Sequence, residues 1–253
     1  MEKSKNILIA VPCYNEEKRL PIEDFKAFIS SNPYTFCFIN DGSKDRTIEV
    51  LQELKALFPD KVIIADSATN LGKSRALNYG FNTVKDLEFE YFSYLDADLA
   101  TPIFELIRMS EFLDDEIEFV FGSRVNRIGS NIKRKLSRHL IGRFFATVNS
   151  LLLQIPVYDT QCGAKILSRN LAEKSFSEKF YTNWVFDVEI FFRVMNAKKN
   201  TDINLYAKEI PLEQWADVGV SSIKPKHYVG IFSDLFKIYR IYRGKGKSKI
   251  THS

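Results

Sequence analysis

Tyr91-Phe92-Ser93-Tyr94-Leu95-Asp96-Ala97-Asp98 is an aromatic and apolar run that ends in two carboxylates one residue apart. The run reads as a short strand buried in a sheet. On an extended chain, side chains at i and i+2 point to the same side, so Asp96 and Asp98 are expected to face one site. Two ionised carboxylates held that close repel each other unless a cation sits nearby. A hard divalent ion takes oxygen ligands and commonly completes its shell with substrate phosphates. Open α/β sheets bind ligands beyond the carboxyl ends of their strands, which is where this pair falls. Alone, the motif reads better as a strand-to-helix turn, with Asp98 or Thr101 capping a helix begun by Pro102.

The neighbouring segments tip the balance toward a binding site. Upstream, residues 6–11 form an apolar strand closed by Pro12, followed by a turn holding Asn15 and Glu16 and a helix over 24–30. Residues 35–39 make a second strand that runs into Asn40-Asp41-Gly42-Ser43. Asp45 then caps a helix with Ile48, Leu51, Leu54, Leu57 and Phe58 at helical spacing. A third strand spans 61–65, and Asn70-Leu71-Gly72-Lys73 opens the next helix. Downstream, a helix covers 104–113 and a fifth strand 118–122. This alternation predicts an α/β fold, a mostly parallel central sheet flanked by helices. Its crevice gathers Pro12, Tyr14, Glu16, Asp41, Lys73, Asp96 and Asp98. No Gly-x-Gly-x-x-Gly or Walker lysine loop supports a dinucleotide or P-loop fold.

The second half is less regular. Residues 133–155 predict a helix whose apolar stripe is Leu136, Leu140, Phe144, Val148 and Leu152. Its basic first half allows it to lie flat in a membrane interface, although periodicity alone favours a core helix with a solvated basic face. Asp159-Thr160-Gln161-Cys162-Gly163 is a polar loop. Trp184-Val185-Phe186-Asp187-Val188-Glu189 begins another helix, with Asp187 and Glu189 either facing the crevice or serving as capping charges.

Across 253 residues, 45% hydrophobic with 21 Phe, there is ample material for a core, and the net charge is +4. The charge is uneven. Residues 119–158 contain no carboxylate yet hold Arg124, Arg127, Lys133, Arg134, Lys135, Arg138 and Arg143; residues 224–249 contain only Asp234 as an acid. Such asymmetry points to an anionic partner. Three scattered cysteines suit reduced cytosolic thiols. No stretch reaches the ~20 apolar residues that span a bilayer, and the polar N-terminus reads as no secretory signal.

The stretches Val11-Pro12-Cys13-Tyr14-Asn15-Glu16-Glu17, Asn40-Asp41-Gly42-Ser43-Lys44-Asp45, Asn70-Leu71-Gly72-Lys73 and Asp96-Ala97-Asp98 together resemble the inverting glycosyltransferases of family 2, which have the GT-A fold. Gly122-Ser123-Arg124, Asp159 to Gly163, Trp184 to Glu189, Trp215 and Gly219-Val220-Ser221-Ser222 narrow the resemblance to the branch of dolichyl- and polyprenyl-phosphate sugar transferases. Two departures are the lack of a transmembrane helix and Ala164, where an aromatic residue is common.

The resemblance implies one GT-A domain over 1–253: a nucleotide-sugar half (1–123), an acceptor-side half (124–223) and a basic C-terminal segment (224–253). Pro12, Tyr14, Glu16, Asp41 and Lys73 would hold the nucleotide, with Asp41 on the base. Asp96 would sit by the ribose or diphosphate, and Asp98 would ligate Mg²⁺ or Mn²⁺. The expected reaction moves a hexose, glucose foremost, from a UDP-sugar to a polyprenyl phosphate at the inner, cytoplasmic face of a membrane. A saccharide or glycolipid acceptor is the alternative. A nucleic-acid module is weighted low, because the aromatics lie in an apolar stripe rather than among the charges.

A hydroxyl acceptor needs a general base, for which Asp159 and Asp187 are the candidates. A phosphate acceptor is already ionised and needs cations instead. Arg124, Arg127, Lys133, Arg134, Arg138 and Gln161 are expected on that side.

Overall fold

The computed structural model describes residues 5–133, 136–217 and 227–244. Strands β1 (Ile7–Cys13), β2 (Thr35–Asp41), β3 (Val62–Ser67) and β4 (Tyr91–Tyr94) are parallel and lie in the order β3-β2-β1-β4. Helices α1 (Ile22–Ser31), α2 (Thr47–Leu57) and α3 (Lys73–Val84) connect them. The expected strands and helices of this half are all present. The strand ends differ, since β1 continues through Pro12 to Cys13 and β2 reaches Asp41.

Beyond α4 (Ile103–Ser110) the pattern changes. β5 (Phe119–Ser123) does not pair with β4. Between them lies β7 (Lys165–Ser168), antiparallel to both. β8 (Ala207–Pro211) completes a seven-stranded sheet beside β5, and a small separate pair joins β6 (Asn131–Lys133) to β9 (Gln214–Ala216). Because β7 runs backwards, the loop before it, residues 158–164, comes out at the same sheet edge as the ends of β1, β2 and β4. That reversal brings the second half of the chain to the crevice.

Alternation along β1 divides the core by face. Ile7, Ile9 and Val11 pack with Phe25 of α1, Leu51 of α2 and Leu106 of α4. Leu8 and Ala10 face the other layer, built from α3, α5 (Leu136–Leu153), α6 (Arg169–Phe176), α7 (Phe186–Ala197) and α8 (His227–Gly244). Phe81, fully buried, meets Phe92 at 5.1 Å and Phe176 at 5.9 Å between ring centres.

The stripe expected on α5 divides. Val148 and Leu152 pack against the core, whereas Leu140 and Phe144 are exposed. A row spaced at i, i+4 winds about 40° around the helix at each step, so Leu140 and Leu152 cannot share a face. Arg134, Lys135 and residues 219–222 lie outside the described residues, as do the side chains of Leu136 and Arg138. Among the described residues no helix is long and apolar enough to cross a membrane.

Candidate active site

The first wall of the crevice is built from turns pinned to one another. After β1, Asn15 adopts φ 53°, donates its N–H to Ser43 Oγ at 3.0 Å and accepts from Lys44 N at 2.8 Å through Oδ1. Glu16 N donates to Thr47 Oγ1 at 2.8 Å. Tyr14 is thereby left exposed at the rim, and the Glu16 carboxyl is buried with Oε2 lacking a partner. At the end of β2, Asp41 is 4% exposed and accepts from the N–H groups of Leu71 at 2.6 Å and Gly72 at 3.0 Å. Asp41 therefore fixes the turn that opens α3. Gly72 takes φ 81° there, a conformation that favours glycine.

Lys73, the first residue of α3, ion-pairs with Asp96 and lies 5.9 and 5.7 Å from the ring centres of Tyr94 and Phe186. The carboxylate pair sits just beyond the end of β4, as expected, but the chain there turns rather than staying extended. Strand pairing stops at Tyr94, and Leu99 at φ 49° turns the chain. Asp98 Oδ1 accepts from Ala100 N at 3.0 Å. Burial, together with the neighbouring Asp96, raises the Asp98 carboxyl above its ordinary range. Burial likewise raises Glu16, with Asp98 and Asp45 adding to it, and raises Asp41 despite its two backbone bonds. In all three the chief cause is burial, and at Asp98 the charge of Asp96 adds to it. Among the described residues no group of three or more ligating side chains exists. One or two carboxylates suit a hard cation that takes its other ligands from phosphate and water.

Arg124 follows β5 and grips Asp159 from Nε at 2.7 Å and from a terminal nitrogen at 2.9 Å. Burial alone would raise the Asp159 carboxyl, but the Arg124 charge and hydrogen bonds outweigh it and hold the carboxyl below its usual range. Glu209 on β8 accepts the N–H groups of Tyr158 and Asp159 at 2.9 and 2.8 Å, which fixes this loop.

Asp187 lies deeper, and its Oδ1 accepts from both Tyr94 OH and Lys165 Nζ at 2.5 Å. Lys165, fully buried, also donates to the Cys162 carbonyl at 2.6 Å. Glu189 turns away from this cluster to Arg193 and Tyr242. Residues i and i+2 diverge by about 200° on a helix, so Asp187 and Glu189 cannot face one crevice. Gln161 borders a cavity beside Arg124, whereas Arg127 and Lys133 are exposed outside it.

Sequence reasoning missed Lys165 and Glu209 as site-building residues, and it counted Arg143 only as part of a basic run. Arg143 in fact stacks over Tyr158 with the guanidinium 3.8 Å from the ring centre.

The profile of the family described as "Glycosyl transferase family 2" matches residues 8–176, from β1 through α6. The chain belongs to that family. The matched span holds the turns after β1 and β2 and the Asp-x-Asp turn, while α7 and α8 lie past it.

Among curated relatives, a dolichyl-phosphate beta-glucosyltransferase of Trichomonas vaginalis is 28% identical, over 93% of this chain and 73% of the relative. The dolichyl-phosphate beta-glucosyltransferase of Homo sapiens is also 28% identical, over 85% and 73%. Among solved structures, mannosyl-3-phosphoglycerate synthase from Rubrobacter xylanophilus superposes with a TM-score of 0.66 at 14% identity, covering 98% of this chain and 77% of that one. Glucosyl-3-phosphoglycerate synthase from Mycobacterium tuberculosis, in complex with Mn²⁺, UDP-glucose and glycerol 3-phosphate, gives 0.63 at 16%, covering 95% and 81%. These two show the shared GT-A fold of this glycosyltransferase.

Proposed function

We propose that this glycosyltransferase moves glucose from UDP-glucose to the phosphate of a dolichyl or other polyprenyl phosphate, with inversion at the anomeric carbon. The observation that carries the choice of acceptor is that both candidate bases are already engaged. Arg124 holds Asp159 bidentately, and Lys165 and Tyr94 hold Asp187. A carboxylate fixed in an ion pair is a poor proton acceptor, as a hydroxyl acceptor would require. A phosphate monoester, with a second pKa of about 6, needs no base. The curated relatives' names point the same way.

On the donor side, Tyr14, Glu16 and Asp41 frame the nucleotide and Pro12 sets the turn that presents them. Lys73 and Asp96 stand beside the ribose and diphosphate. Asp98 would hold a divalent cation, Mg²⁺ or Mn²⁺, and that cation when bound supplies positive charge to the departing diphosphate. Lys73 adds a second charge at the same place, steadied by Asp96. Asp159 and Asp187 then serve as positioning residues, the first orienting Arg124 and the second anchoring Lys165 beneath the 162–164 turn.

The enzyme meets its lipid at an anionic membrane surface. Leu140, Phe144 and Leu151 on α5 and Phe232, Phe236 and Tyr239 on α8 are exposed, and Phe232 packs on Phe144 and Phe145, joining the helices. Lys237 and Arg240 are exposed on α8 among these apolar side chains. Each such basic residue contributes roughly 1 kcal/mol near an anionic leaflet.

Incubation of the protein with a panel of nucleotide sugars and with polyprenyl phosphate, free saccharides or water, with and without Mn²⁺, tests the reading. The expected product is β-glucosyl phosphoprenol made from UDP-glucose. Transfer to saccharides with none to the lipid phosphate would overturn it.

A further inference from the structure

A cavity of about 310 Å³ opens between α5, the 158–161 loop and the first turns of α8. Ile141, Phe145, Val185 and Ile231 form apolar walls, and Arg124, Arg143, Asn149 and Gln161 bring polar groups to it; the carboxylates of Asp159 and Asp217 also border it. The two arginines differ in kind. Arg124 is committed to Asp159 on two of its nitrogens. Arg143 is half-buried, lies over Tyr158, and makes one long bond of 3.5 Å to the Tyr158 carbonyl. Stacking fixes the plane of a guanidinium while leaving its N–H edges available.

Two amides at the cavity are incompletely satisfied. Asn149, 2% exposed, donates Nδ2 to Thr160 Oγ1 at 2.8 Å, but its Oδ1 is buried without a partner. Gln161 Nε2 is likewise buried without one. Native interiors seldom leave such atoms unmatched, which makes a polar ligand group the natural complement.

We propose that this cavity seats the acceptor's phosphate together with the first apolar segment of its chain, and that Arg143 is the residue that holds the anion. The inference rests on the lipid-phosphate reading above and assigns it a residue. The Arg143 fork engages two phosphate oxygens, and Gln161 donates to a third. Asn149 Oδ1 accepts a hydrogen bond from the P–OH of a monoanion. It can also turn over to donate, because the Thr160 hydroxyl gives a hydrogen bond as readily as it takes one. The aliphatic and aromatic walls match a prenyl chain and offer nothing to the carboxylate of a small phospho-acid. At the small end of the ~300–1,000 Å³ range of ligand pockets, the cavity holds the head of the lipid and leaves the rest outside.

Trp184 and Trp215 are the chain's two tryptophans and both border the cavity, so intrinsic fluorescence reports occupancy without turnover. The full chain is titrated with a ten-carbon prenyl phosphate, the matching prenyl alcohol, 3-phosphoglycerate and inorganic phosphate. Prenyl phosphate is expected to change the emission at concentrations at least ~10-fold below the other three. Arg143→Gln should weaken prenyl phosphate ~10- to 100-fold, the worth of a charge-assisted hydrogen bond, and leave the alcohol and UDP unaffected. Arg143→Lys should recover part of the loss, since it keeps the charge without the fork.

No emission change with any ligand, equal binding of phosphoglycerate, or wild-type affinity in Arg143→Gln would each overturn the proposal. Glucose transfer by Arg143→Gln at unchanged acceptor KM removes Arg143 but leaves the lipid-phosphate reading standing. Arg143-dependent binding without any lipid-linked glucose keeps the anion site and removes that reading.

Discussion

A methyl group placed on Gly163 would overlap the carboxylate of Asp96. The loop before β7 thus lies directly against the acid that Lys73 holds. Gly163→Ala should push Asp96 away from Lys73. Displacements of that size cost up to about 10²-fold in turnover. Overpacking should cost about 1–3 kcal/mol in stability. Steady-state kinetics and thermal melts of the variant check both; wild-type kcat would show that the contact is idle.

Asp98→Asn should preserve the fold and remove the metal dependence of UDP binding, with transfer reduced on the order of 10²–10³-fold. Calorimetric titration of UDP with and without Mn²⁺ reads this directly. Undiminished turnover in EDTA would refute the metal assignment.

Glu16, Asp41 and Asp98 all have carboxyl groups raised above their ordinary range, chiefly by burial. The folded protein therefore holds protons that the unfolded chain has released. By linkage, their contribution to stability is complete below the unfolded carboxylate pKa and is lost as pH rises through the folded values. Mn²⁺ with UDP favours the ionised forms, so ligand-induced stabilisation should grow with pH over the same interval. Melting temperatures measured across pH with and without Mn²⁺–UDP provide the test, and a ligand shift that shrinks with pH would contradict it.

Asp159 has the opposite sign. Its carboxyl is held low by Arg124 against the effect of burial, so its contribution is present above the unfolded pKa and disappears as pH falls through the folded one. Asp159→Asn strands a buried guanidinium, which typically costs about 3–5 kcal/mol. A double Arg124→Met, Asp159→Leu variant should recover much of the melting temperature while transfer stays low. Full activity in the double variant would show that the pair serves the fold alone.

Phe232→Ser with Phe236→Ser should weaken flotation with anionic liposomes and leave UDP binding intact. Raising salt should weaken the wild type in the same assay by screening Lys237 and Arg240. Indifference of the wild type to anionic liposomes at low salt would remove the membrane assignment.

The donor half was legible in the chain because its strands are continuous apolar runs and its helices carry regular apolar spacing. The strand over residues 6–11 and the helix after Asp45 needed nothing from outside themselves to be recognised, although their ends shifted by a residue or two. β7 was not. Lys165-Ile166-Leu167-Ser168 is four residues long and begins with a lysine, and only the pocket formed by Asp187 and the Cys162 carbonyl explains why that lysine is buried. The same limit applied to the acceptor wall. Charge counting could find the arginines of residues 124–143, but it could not tell that Arg124 is spent on Asp159 while Arg143 lies against Tyr158. Nor could the Asp-x-Asp spacing reveal the turn at Leu99, since a left-handed residue other than glycine leaves no mark in composition.

The backward strand β7 also sets the order in which the chain can be completed. β5 has β7 and β8 as its neighbours in the sheet, and β4 has β1 and β7. When residues 119–123 leave the ribosome, neither of β5's partners has yet been made. Nascent chains shorter than residue 165 must therefore carry an unpaired apolar strand and an open edge on β4. Such edges recruit other strands, so truncated products should aggregate or be degraded rather than persist as a free first half.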